Sequence, residues 1–87
     1  MTYKVTILPA ALRQLAALPP RDQKRIREKI DGLAENPRPT GVKRLQGRRD
    51  YWRIRVGDYR VVYMIEDDRL QILVIRIGHR REIYGGL

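Results

Sequence analysis

Arg53, Arg55 and Arg60 flank a two-residue turn, Gly57 and Asp58, inside the stretch YWRIRVGDYRVVY at residues 51–63. Gly-Asp is a hairpin loop that tolerates the left-handed conformations a tight reversal needs. With that loop placed, Val56 faces Tyr59, Arg55 faces Arg60, Ile54 faces Val61 and Arg53 faces Val62. Alternation along each strand then puts the three arginines on one side. Like charges directly opposed on neighbouring strands destabilise a sheet. At an effective dielectric of about 20 two such charges repel by roughly 3 kcal/mol, and by less when fully solvated. Folding alone gives little reason to hold that arrangement; a multiply charged anion lying across the hairpin does. Arginine keeps its proton at ordinary pH and offers a planar fork of donors, which suits it to phosphate.

The tail GHRREIY, residues 78–84, adds His79, Arg80, Arg81 and Tyr84. It follows a strand expected to pair with the one carrying Arg60, so it begins near the arginine cluster. Cleaving RNA without a metal requires activation of the ribose 2′-hydroxyl, neutralisation of charge on the phosphorane and protonation of the leaving 5′-oxygen. Arginines suit the second task through charge-assisted bonds. His79 and Tyr84 are the nearby candidates for proton transfer. Each has a plainer role open to it: His79 as a surface residue at a strand end, Tyr84 as a cap on the core. Trp52, Tyr59 and Tyr63 could stack on bases, but facing the helices they read as core. Lys43, Arg44, Arg48 and Arg49 in the preceding basic segment, with Arg81, extend the expected RNA contact.

Composition agrees with an anionic partner. Nineteen Lys and Arg against ten Asp and Glu leave +9 on 87 residues, more single-sign charge than solubility asks of a small domain and the electrostatic footprint of a nucleic-acid binder. The length suits one domain, residues 1–87, with a single modest core. With no cysteine there is no disulfide, thiol nucleophile or cysteine-zinc site. One histidine and no clustered carboxylates argue against a protein-built metal site, and no cofactor is expected. No apolar run reaches membrane-spanning length and no secretory leader is evident, so no membrane partner is expected and the chain reads as cytoplasmic.

The elements that must position these residues are legible from periodicity. Residues 3–8 alternate and read as a strand. A helix follows from Pro9 to Leu18, with Leu12, Leu15 and Ala16 as its apolar stripe, and stops at Pro19 and Pro20. A second helix runs from about Pro20 to Glu35 with Ile26, Ile30, Leu33 and Ala34 inward. Residues 36–47 read as loop. Strands are expected at about 50–56, 59–66 and 69–77, with a two-residue turn at Asp67 and Asp68 that sets Ile65 opposite Leu70 and Tyr63 opposite Ile72. Gly78 then ends the sheet. The fold class is α+β: an N-terminal strand, a helical hairpin and a three-stranded meander in one curved antiparallel sheet, helices on one face, and a short tail. Arg76 falls on the apolar face of this scheme, which a bulge near the strand end would correct.

This order of elements, with YWRIRVGDYRVVYMIEDD followed by ILVIRIGHRREIY, resembles the RelE/ParE toxin superfamily of type II toxin–antitoxin modules over nearly the whole chain. The RelE branch implies a ribosome-dependent endoribonuclease that cuts mRNA in the ribosomal A site and is neutralised by a cognate antitoxin, acidic and partly disordered when free. The family's basic pre-hairpin residues, its arginine after the hairpin, and its tail arginine and tyrosine fall on Arg53, Arg55, Arg60, Arg80 and Tyr84. The best-known pattern has lysine at the two pre-hairpin positions, so the resemblance carries charge to Arg53 and Arg55 but no acid–base role. Some branches use a histidine near His79. The ParE branch implies instead a toxin that inhibits DNA gyrase by contact, with no need of the arginine–tyrosine set. A DNA-binding repressor would need an exposed recognition helix, whereas the second helix is best used for packing.

Overall fold

A proline opens each helix, at the position where a missing N–H leaves no bond unmade. Pro9 starts α1 (Pro9–Ala16) and Pro20 starts α2 (Pro20–Gly32). The side-chain amide of Gln23 on α2 donates to the carbonyls of Ala16 (3.3 Å) and Leu18 (2.7 Å). It thereby satisfies acceptors that the end of α1 leaves open and locks the helical hairpin. Ile26, Ile30 and Leu33 are buried as the spacing requires, but on α1 the buried pair is Ala11 and Leu15 while Leu12 is 45% exposed. An eight-residue helix turns only one narrow stripe inward, and here that stripe is centred one residue earlier than the leucine pattern suggests.

The computed structural model describes residues 2–45, 47 and 50–79. Around the helices lie β1 (Lys4–Ile7), β2 (Lys43–Arg44), β3 (Tyr51–Val56), β4 (Tyr59–Glu66) and β5 (Gln71–His79), in the sheet order β1-β5-β4-β3-β2. The α+β architecture is as expected, with three differences. The sheet is mixed, because β1 runs parallel to β5; the intervening chain separates the two strands, as a parallel neighbour requires. The expected loop contains β2, paired with Trp52 and Arg53 of β3. Finally, β5 continues through Gly78 to His79, which pair with Arg60 and Tyr59.

The turn between β4 and β5 is a 3₁₀ turn (Asp67–Arg69) followed by Leu70 at φ 50°, ψ 48°. It is longer than a two-residue turn, so Ile65 faces Ile72 and Tyr63 faces Val74. The offset from the expected register is two residues, and an even shift leaves every side chain on its expected face. The alternation then breaks once. Tyr63 pairs with Val74 but Val62 pairs with Arg76, which leaves Ile75 as the extra residue of a bulge. Arg76 therefore moves to the arginine side and Ile77 joins the core, 2% exposed. The core consists of the helix stripes against Ile54, Val56, Val61, Tyr63, Ile65, Ile72, Val74 and Ile77. Among the described residues no helix is long and apolar enough to cross a membrane.

Two side chains complete this frame. β1 ends opposite Val74, and farther along β5 the Ile77 N–H donates instead to the Gln14 side-chain oxygen of α1 at 2.8 Å. Gln14→Leu keeps the volume but orphans that donor, and the expected loss is about 1–3 kcal/mol in denaturant unfolding at unchanged slope. Tyr63 is buried and its hydroxyl donates to the Pro37 carbonyl at 2.6 Å. Burial pushes this phenol far above its ordinary value of 10.0. The unfolded chain therefore releases that proton first, and the stability it contributes is whole below pH 10 and lost as pH rises toward the folded value. Tyr63→Phe should flatten the alkaline limb of a stability–pH curve above pH 10; an unchanged limb would mean that another group sets it.

Candidate nucleic-acid interface

The register brings the basic residues into two rows on the sheet face that turns away from the helices. One row crosses four strands: Lys43 of β2, Arg53 of β3, Val62 of β4 and Arg76 of β5. The other crosses three: Arg55, Arg60 and Gly78. Neighbouring strands lie about 4.8 Å apart, and residues two apart along a strand lie about 6.8 Å apart. Five cationic residues thus belong to one small lattice. Arg55 is exposed, while Arg53, Arg60 and Arg76 are half-buried. Val62 lies between Arg53 and Arg76 with no exposed surface and stands outside the helix-side core. Gly78 places no side chain beside Arg60. One Arg60 Nη donates to the carbonyl of its neighbour Tyr59 at 3.3 Å, which leaves further donors of the fork for an anion.

The turn that sets Arg55 opposite Arg60 has its own support. Gly57 has φ +61°, and a β-carbon there would sit 3.3 Å from an Arg25 Nη atom. The turn therefore favours glycine for its left-handed backbone, and the Arg25 guanidinium of α2 packs beside it. Beside the turn, a groove of about 630 Å³ between α2 and β3 is lined in part by Lys43, Arg53, Arg55 and Arg60.

Not every expected residue joins the lattice. Arg44 lies opposite Trp52 on the helix side, its guanidinium 5.8 Å from the indole ring, and Arg38 stands 4.8 Å from the same ring. His79 also faces the helix side, its ring edge-on to Tyr59 at 6.2 Å. The Tyr59 hydroxyl donates to Asp22 at 3.1 Å, and that bond to a carboxylate raises the phenol's pKa. Arg48, Arg49, Arg80, Arg81 and Tyr84 lie outside the described residues. Conversely, Arg76 and Arg25 are not among the residues that sequence reasoning assigns to the site. The misfit of Arg76 with its strand's alternation was a usable signal for the first; the approach of Arg25 to Gly57 left none. Among the described residues, no three His, Cys, Asp or Glu side chains are grouped as a metal would need.

Comparison with known proteins accords with this geometry. The family model for the ParE toxin of type II toxin–antitoxin systems, parDE, matches residues 5–84. The chain is 40% identical to the RelE1 protein of Methanocaldococcus jannaschii over 86 residues, covering 94% of this chain and 93% of that one. It is 32% identical to toxin RelG of Mycobacterium tuberculosis over 85 residues, covering 97% and 98%. Among solved structures, the archaeal RelE–RelB complex of Pyrococcus horikoshii matches with a TM-score of 0.81 at 33% identity, over 92% of this chain and 97% of that one. The fold, the lattice and these likenesses lead to one assignment: the chain belongs to the RelE/ParE superfamily of toxins from type II toxin–antitoxin systems.

Proposed function

We propose that the chain is a ribosome-dependent endoribonuclease that cuts mRNA by attack of the RNA's own 2′-hydroxyl and is neutralised by a cognate acidic antitoxin. The observation that carries this reading is the direct opposition of Arg55 and Arg60, with Arg53, Arg76 and Lys43 in the adjoining row. Fixed donors on one rigid sheet suit the charge that gathers on the equatorial oxygens of a phosphorane, where preorganised donors act most strongly. Arg53, Arg55 and Arg60, with Arg80, hold the scissile phosphate, while Lys43 and Arg76, with Arg48, Arg49 and Arg81, take neighbouring phosphates. Proton transfer to the leaving 5′-oxygen goes to Tyr84, since His79 stands beside Tyr59 on the helix side. Solved relatives of similar fold are complexes with antitoxins, RelB among them, which supports an antitoxin partner here.

The match to the ParE family model supports a second reading, a toxin that inhibits DNA gyrase by contact. Primer extension on an mRNA translated with and without the protein separates the two. Discrete cuts within translated codons support the nuclease, and gyrase-dependent DNA damage with intact mRNA supports the alternative. Products should carry a 2′,3′-cyclic phosphate or its opened monophosphate, and a 5′-hydroxyl. Arg60→Ala should lose about 10²–10³ in cleavage rate, as for removal of one donor to a developing oxyanion. Its melting temperature should hold or rise, because one cross-strand repulsion is gone. Collapse of stability together with activity would make Arg60 structural. Efficient cutting of a message with 2′-deoxyribose at the cleavage site would rule out the chemistry.

A further inference from the structure

Arg55 and Arg60 oppose each other one pair in from the turn, with the pair of Val56 and Tyr59 between them and Gly57-Asp58. Like charges in that place favour fraying of the hairpin end. The β3 side offers little against it, because β2 pairs with Trp52 and Arg53 and leaves residues 54–56 an open sheet edge. Arg25, whose guanidinium packs beside Gly57, is itself a cation and relieves none of the repulsion. A phosphate-binding pair held at a fixed spacing therefore needs a restraint from elsewhere.

Tyr59 supplies one. It begins β4, and its side chain packs against the helix-side core while that of Arg60 belongs to the opposite face. Its hydroxyl donates at 3.1 Å to an oxygen of Asp22, in the first turn of α2. Its own carbonyl accepts from an Arg60 Nη at 3.3 Å. One residue thus joins the Arg60 guanidinium to a helix anchored in the core by Ile26 and Ile30. Asp22 also has a plainer role, since an acidic residue in the first turn favours the helix dipole. The two roles separate in Asp22→Asn, which gives up the charge but keeps an oxygen able to accept the bond.

We infer that Tyr59 and Asp22 are positioning residues whose hydrogen bond clasps the end of the hairpin to α2 and holds Arg60 in place opposite Arg55. Resting on the nuclease reading above, the inference names what keeps its phosphate-binding pair aligned. Neither residue touches the RNA; both act through Arg60.

The test measures kcat and KM for cleavage of mRNA on programmed ribosomes. Tyr59→Phe keeps the ring and removes the bond. It should lower kcat by about 10–100-fold, the size of effect a small misplacement produces, and leave KM nearly unchanged. Its melting temperature should fall by no more than about 8 °C, as for one hydrogen bond in a domain of this size. Asp22→Ala should match it, whereas Asp22→Asn should keep most of the wild-type rate. Added to Arg60→Ala, Tyr59→Phe should cost less than about twofold more, because nothing is left to position. Amide exchange at residues 55–60 should quicken in Tyr59→Phe while that of Ile72 and Val74 holds.

An unchanged kcat in Tyr59→Phe would overturn the positioning role and leave the nuclease standing. So would a full further loss in the Arg60→Ala background, which would make Tyr59 act independently of that arginine. Loss of rate in Asp22→Asn equal to that in Asp22→Ala would trace the effect to charge at the helix end and overturn the clasp. Absence of any cut by the wild type would overturn the nuclease reading and the positioning role with it.

Discussion

One unpaired residue, Ile75, reconciles two demands on β5 that strict alternation cannot meet. N-terminal to the bulge the strand sends Ile72 and Val74 into the core; beyond it, Ile77 must do the same. Residues 74 and 77 differ by an odd number, so if every residue between them took its place in the ladder one of them would point at solvent. With Ile75 looped out, Ile77 lands opposite Val61, Arg76 opposite Val62 and Gly78 opposite Arg60. The bulge thus closes the core beneath α1 and also completes the cationic lattice. Deleting Ile75 would give a regular ladder with the same pairs, whereas absorbing Ile75 into the ladder without a bulge would turn Arg76 to the core face and Ile77 away from it.

The lattice is tolerable because the opposing face supplies the stability. Tyr63, Val61, Ile72 and Val74 have no exposed surface, and burying side chains of this kind contributes about 1.5–3 kcal/mol each, comparable with or larger than the repulsion between two half-solvated arginines. Charge is also segregated along the sheet. Asp50, Glu66, Asp67 and Asp68 gather at the turn between β4 and β5 with Arg69 and the paired Arg38 among them, while Arg55, Arg60 and Arg25 gather around the opposite turn, which holds Asp58.

What was legible in the sequence follows from which forces are local. The Gly57-Asp58 turn is specified by two residues, and the whole β3–β4 register follows from it, including Arg55 opposite Arg60. The even register error between β4 and β5 arises because Leu70 takes a left-handed conformation that nothing in its type announces; the faces survive because side-chain direction has period two. β2 was invisible, since two residues between glycine and proline signals carry no periodicity and pair only because β3 is there. His79 shows the limit of proximity arguments: it is next to Gly78, which faces Arg60, and for that reason it points the other way.

The segment 36–44 is the wall common to the lattice and the groove, and its fastening determines where Lys43 stands. Its end is held by the pairing of Lys43 and Arg44 with β3, and side-chain contacts brace the rest. Tyr63 reaches from the core to the Pro37 carbonyl. Arg38 pairs with Asp67 at 2.9 Å and covers the Trp52 ring. Tyr3 donates to the same Asp67 at 2.7 Å, and together Arg38 and Tyr3 hold that carboxyl below its ordinary range. These contacts are unequal. The pair of Arg38 and Asp67 is 41% and 52% exposed, so water and salt screen it and it guides the segment more than it stabilises it. The Tyr63 hydroxyl, on a side chain with no exposed surface, has no such screening, and losing its partner would leave a buried donor unmade. The ladder with β3 places Lys43 in the cationic row, while a core tyrosine on the other face of the sheet fastens the chain that leads to it, which makes packing and the anion site parts of one structure.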